Sequence, residues 1–230
     1  MSKAKKNVVP FYDRPALKPK NAKQKKYINT LKHSTITLAT GSSGTGKTYI
    51  PAVLAADMLD DNRTPIEKIV ICRPNEGPGK TIGFLKGGME EKMMPWAAPI
   101  LDAIASRWGG GAVGKKRVED AIQRGTIELL PLEYARGKTF NNCFVIVDEA
   151  QNTDWDSLKN LTLRVGMDCK LVVCGDVAQK DIKGDSGLAV LMDLEYEYRT
   201  PWCSINFEID DCVRSDVVKY TLSLYEEAGV

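Results

Sequence analysis

Five short apolar runs punctuate the chain: Thr35–Thr40, Ile69–Cys72, Ile127–Leu130, Cys143–Val147 and Leu171–Cys174. Runs this short, with little polar alternation, predict strands buried on both faces, as in a parallel sheet. Ile205-Asn206-Phe207 is expected to add a final strand. The intervening segments carry apolar residues at helical spacing. They predict helices over Asn21–Leu31, from Tyr49 to about Asp61, and over Met89–Arg107, Lys115–Arg124, Asp154–Arg164 and Ser215–Ala228. Thr153 or Asp154 would cap the fifth of these, and Ser215 the last. Gly109-Gly110-Gly111 reads as a helix break, and the glycine-rich stretch 75–88 as a loop. Strands that alternate with helices predict an α/β fold, with a mostly parallel sheet and helices on both faces. No internal repeat is visible.

Composition narrows the class. The 230 residues, 43% of them hydrophobic, suit one soluble domain over 21–230, preceded by a Lys/Pro-rich flexible arm at 1–20. No apolar run approaches the ~18 residues of a membrane span. The N-terminus has no apolar core behind its charges, so it is not read as a signal peptide, and a cytoplasmic location is expected. The six cysteines form no C-x-x-C pair and His33 is the single histidine, which argues for reduced, buried thiols and against zinc. Charge is uneven: residues 1–32 hold ten basic side chains and one acid, whereas the rest hold 22 basic and 29 acidic ones. Such an arm suits a polyanion such as RNA, or simply a solvated tail.

The chemistry begins at Gly41-Ser42-Ser43-Gly44-Thr45-Gly46-Lys47-Thr48, followed by Tyr49. This is G-x-x-x-x-G-K-[ST], placed between a strand and a helix, the context a phosphate-binding loop requires. Its glycines let several backbone N–H groups converge on a phosphate, and the following helix adds its positive end. Lys47 would meet the β/γ-phosphates, and Thr48 would offer its hydroxyl to Mg²⁺. A flexible linker would not need Lys-Thr at its end. Pro51, in the first turns of the helix, removes one donor and is expected to bend the helix start.

A second signal is Val145-Ile146-Val147-Asp148-Glu149-Ala150-Gln151, where an apolar strand ends in two carboxylates. Ligands of open α/β sheets bind at that edge. Asp148 would hold Mg²⁺, and Glu149 would orient or deprotonate an attacking water. Alone, Asp-Glu would be a plain acidic strand end; joined to the phosphate loop, it points to hydrolysis. Cys174-Gly175-Asp176-Val177-Ala178-Gln179 ends another apolar strand. There Gln179 would sense the γ-phosphate or hold the water, unless the segment is only a Gly-Asp turn.

With these three segments in this order, the chain resembles the PhoH-like family, which groups with superfamily 1 helicase-type ATPases of RecA-like P-loop fold. The resemblance runs from about Lys20 to Glu227. Arg73-Pro74 with Gly83-Phe84-Leu85 and Glu91-Lys92, Arg136-Gly137-Lys138-Thr139 before Asn141-Asn142, Leu163-Arg164-Val165-Gly166, Asp185-Ser186-Gly187-Leu188 and Asp211-Cys212-Val213-Arg214 are similar to further family segments. Lys138 departs from the family's second arginine there, and Leu163 from its threonine. The resemblance implies that Gln24 reads the adenine edge, so the nucleotide is ATP. With no added RNA-binding or nuclease module in view, it also implies a short form that a phage could encode.

Superfamily 1 proteins close ATP between two such domains, and only about 80 residues follow Glu149 here. The site is therefore expected to be completed by an arginine from a neighbouring copy in a homo-oligomeric ring, such as a hexamer. Arg164 is the first choice for that catalytic arginine, with Arg136, Arg214 and Arg73 as alternatives, and each could instead be a plain surface or ion-pair residue. Two functions fit: a Mg²⁺-dependent ATPase coupled to RNA or single-stranded nucleic acid, or a nucleotide-switched binding protein with slow hydrolysis and no unwinding. A nuclease is disfavoured, because no carboxylate cluster exists beyond the Mg²⁺ pair.

Overall fold

The computed structural model describes residues 14–74 and 89–228, with the backbone alone for 89–92. The start of the basic arm, the stretch 75–88 with Gly83-Phe84-Leu85, and the side chains of Glu91-Lys92 lie outside the described residues. Chain order runs α1 (Ala22–His33), β1 (Ile36–Gly41), α2 (Tyr49–Asp60), β2 (Lys68–Arg73), α3 (Met89–Arg107), α4 (Gly111–Gln123) and β3 (Ile127–Pro131). It continues with β4 (Cys143–Val147), α5 (Trp155–Thr162), β5 (Lys170–Gly175), α6 (Gly187–Glu197), β6 (Trp202–Phe207) and α7 (Asp216–Ala228).

The strands form one six-stranded sheet in the order β3-β2-β4-β5-β1-β6, with every pairing parallel. Side chains alternate faces along each strand. Phe144, Ile146, Val172 and Cys174 point into a core shared with α1–α4, whereas Val145, Val147, Leu171 and Val173 point into a second core under α5 and α6. The expected α/β architecture with helices on both faces is therefore observed. All five residues of β4 are buried, which is why that strand reads as an unbroken apolar run.

Caps settle several boundaries. Asn21 accepts from Gln24 N at 2.8 Å and starts α1. Of the two candidate caps for α5, Asp154 is the one used, accepting from Ser157 N at 2.9 Å. The helix α6 has no counterpart among the predicted helices; its Leu188 and Leu191 are buried in the second core. The triple glycine turns the chain with positive φ at all three residues, and α4 begins at Gly111 rather than Lys115. Residues 14–20, expected as part of a flexible arm, lie against the body instead. Arg14 bridges Asp60 at 2.6 Å, Arg107 donates to Pro15 O at 2.7 Å, and Leu17 packs on the first core. No helix of the described residues is long and apolar enough to cross a membrane.

Candidate nucleotide site

β1, β4 and β5 end at one edge of the sheet, and the loop 41–48 leaves β1 there. Gly41 begins it with φ 101°, and a Cβ at that residue would stand 1.8 Å from Phe207 O on β6. Only glycine fits such a position. The loop is stitched to the end of β6 by Ser42 N to Phe207 O, and to the chain beyond that strand by Val213 N to Gly44 O, both at 3.1 Å. Lys47 Nζ donates to Ser42 O at 2.6 Å and also to Gly41 O. Gly41 and Ser42 thus stand behind the lysine rather than lining the cleft.

The loop is braced from α1 as well. Gln24, 4% exposed, donates from Nε2 to Thr45 O at 2.9 Å and accepts from Lys20 N at 2.9 Å. In this structure the side chain expected to read adenine therefore holds the phosphate loop, although it also faces the cleft. Fully buried Tyr27 packs edge-on against Phe207, with ring centroids 5.4 Å apart, and donates its hydroxyl to Lys47 O at 2.8 Å. Cys174 Sγ, on β5, donates to the same carbonyl at 3.2 Å. This explains Pro51. It is the third residue of α2, where its missing N–H would have addressed Lys47 O. Tyr27 and Cys174 occupy that acceptor instead, so the proline leaves no orphan group.

Across the sheet edge, Thr48 Oγ1 donates to Asp148 Oδ1 at 2.7 Å. Burial raises the Asp148 carboxyl above its ordinary value, opposed by that hydrogen bond. Burial also lowers the Lys47 ammonium, opposed by the carboxylates of Asp176, Asp148 and Glu149. A hydroxyl and a carboxylate oxygen side by side are hard donors that fit Mg²⁺, with phosphate and water completing its shell. Glu149 follows in a left-handed conformation, φ 54° and ψ 38°, uncommon for a residue with a side chain. Gln151 Nε2 donates to Glu149 Oε2 at 2.7 Å. Gln179, in the turn after β5, donates to Asp176 Oδ2 at 2.9 Å.

These groups wall a cleft of about 610 Å³, large enough for a nucleotide. Gln24, Ser43 to Tyr49, Asp148, Glu149 and Gln179 line it together, as do Lys18, Lys20, Arg73 and Arg214. Arg73 and Arg214, two of the candidates for supply by a neighbour, thus reach the cleft of their own chain. Arg164 does not. It follows α5 and pairs backbone with Phe140 (Phe140 N to Arg164 O, 2.9 Å), at the sheet edge where the strands begin. Arg136 is not among the lining residues either. Tyr27 and Gln151 stand out only in the folded chain. The one signal at Gln151 is a polar residue retained in a segment buried throughout.

The sequence pattern described as "PhoH-like protein" matches residues 16–226. The chain belongs to the PhoH-like family. Family relatives include the PhoH-like protein of Synechocystis sp., 34% identical over 215 residues, covering 92% of this chain and 63% of that protein. The PhoH-like protein of Bacillus subtilis is 36% identical over 181 residues, covering 78% and 54%, and Protein PhoH of Escherichia coli is 32% identical over 208 residues, covering 90% and 57%. The chain thus spans somewhat over half the length of these PhoH-like relatives. Among solved structures, the large terminase of a thermophilic bacteriophage aligns over 90% of this chain and 50% of its own, at 14% identity and a TM-score of 0.49. That likeness is loose. The P-loop NTPase fold of this PhoH-like chain is carried by its own strand–loop–helix and by the Asp148 contact across the sheet.

Proposed function

We propose that the protein hydrolyses ATP with Mg²⁺, in the cytoplasm, as a homo-oligomer that engages RNA or another single-stranded nucleic acid. The observation that carries the hydrolase reading is the 2.7 Å hydrogen bond from Thr48 to Asp148, with Glu149 next in the chain. Mg²⁺, held by Thr48 and Asp148, would neutralise phosphate charge. The chain's own residues do the rest. Backbone N–H groups of Ser43–Thr48 cradle the phosphates, Lys47 turns from its two carbonyls to the β/γ oxygens, and Glu149 takes the proton of the attacking water. Gln179 stands by the γ-phosphate. Arg164, away from its own cleft, suits delivery to the site of a neighbouring copy in a ring, a hexamer for instance.

Turnover of Mg·ATP tests this directly. Glu149→Gln is expected to cut kcat by ~10²–10⁴-fold with nucleotide affinity retained, whereas Lys47→Ala should weaken nucleotide binding as well. Full activity in both variants would sink the assignment. The hydrogen bond that ties Glu149 to Gln151 favours a second reading, a nucleotide-switched binding protein with slow turnover. Stimulation of turnover by single-stranded RNA supports the motor, and its absence the switch.

A further inference from the structure

Gln151 is 2% exposed, and both ends of its amide are engaged. Oε1 accepts from Asp176 N at 3.1 Å, and Nε2 donates to Glu149 Oε2 at 2.7 Å. A backbone N–H can only donate, so the amide has one possible orientation. The space it occupies is kept open by Gly175, where a Cβ would stand 2.7 Å from Gln151 Oε1 and 2.6 Å from Leu188 Cδ2. On the far side of the same strand tip, the Asp176 carboxylate accepts from Gln179 Nε2 at 2.9 Å and from Ala178 N at 3.2 Å. An unbroken series of hydrogen bonds therefore runs from Gln179 through Asp176 and Gln151 to Glu149.

We propose that Gln151 is a positioning residue that couples the tip of β5 to the Glu149 carboxylate. The inference rests on the hydrolase reading above. Gln179 faces the cleft, so contact with a phosphate there pulls on Asp176. The Asp176 N–H moves with it, and an amide that cannot flip transmits the shift to Glu149. Gln151 itself leaves the reacting atoms alone. Its effect is to hold the carboxylate, on its left-handed backbone, in register with what Gln179 senses.

Gln151→Leu removes both hydrogen bonds at nearly constant volume. Expected are a kcat reduced about tenfold, nucleotide affinity and KM within about twofold, and no further loss of kcat when the change is added to Glu149→Gln. A purely structural role would instead lower kcat equally in both backgrounds. If the leucine variant fails to fold, Gln151→Glu keeps the acceptor for Asp176 N but sets a second carboxylate against Glu149, and the same kcat loss is expected. Unchanged or raised kcat, or an equal loss in the Glu149→Gln background, overturns the coupling alone. Absence of turnover in the unaltered protein overturns the hydrolase reading and the coupling with it.

Discussion

At the scale of single residues, the Lys47 carbonyl shows how the site is held. Pro51 withholds the helical donor that would normally serve it, and Tyr27 supplies a hydroxyl from α1, 20 residues back in the chain. Without that hydroxyl only the weak thiol donor of Cys174 still serves the carbonyl. Tyr27→Phe should therefore destabilise the fold by about 0.5–1.5 kcal/mol in urea unfolding, the loss of one good hydrogen bond. With Pro51→Ala in place, residue 51 regains an N–H aimed at Lys47 O, and the cost of Tyr27→Phe should drop by at least half. Equal costs in both backgrounds would disprove the compensation. The phosphate loop, Asp148 and Glu149 were legible in the sequence because each position's chemistry is local to a short pattern. Tyr27, Gln151 and the loop-bracing contact of Gln24 were not, because each acts on a partner brought close only by the sheet and helices.

At the scale of elements, β5 lies between β1 and β4, so its tip touches the phosphate loop through Cys174 and the acidic strand end through Asp176. Continuous apolar runs made β1 to β5 readable. α6 was not, because its buried leucines follow a Gly/Asp/Ser-rich turn that obscures where a helix can start. α7 poses a different question. It buries none of its residues, and Val217, Tyr220, Leu224 and Tyr225 are all exposed. Apolar side chains spaced three and four apart on one helix form a face suited to a partner. If α7 serves the proposed ring, Tyr220→Asp with Leu224→Asp should reduce the sedimenting mass and leave Tm nearly unchanged. A protein that sediments as a monomer before any substitution, with and without Mg·ATP, would exclude the ring itself.

For the molecule as a whole, the parallel sheet separates two cores and gathers the ends of β1, β4 and β5 at one edge, an arrangement the alternation of elements already implied. Strand order was not legible, since parallel neighbours are joined by distant segments and the pairing is decided by packing. Charge is arranged at this scale too, with ten of the 32 basic residues within the first 32 positions. If that region grips nucleic acid, affinity for single-stranded RNA should fall with salt, at a log–log slope of about −0.7 per phosphate neutralised. Removing residues 1–13, which carry Lys3, Lys5 and Lys6, should weaken binding several-fold while sparing RNA-independent turnover. Undiminished affinity would leave the arm a solvated tail.

The order β5-β1-β6 also leaves its mark on Gly41. With β6 as neighbour, the Phe207 carbonyl occupies the place of any side chain there. Two changes only six residues apart would then announce themselves differently. A Lys47 variant would come through purification soluble and silent, while a Gly41 variant would be lost as aggregate before any assay. Inactivity at the first position of the phosphate loop thus reports on assembly of the sheet, and says nothing about ATP.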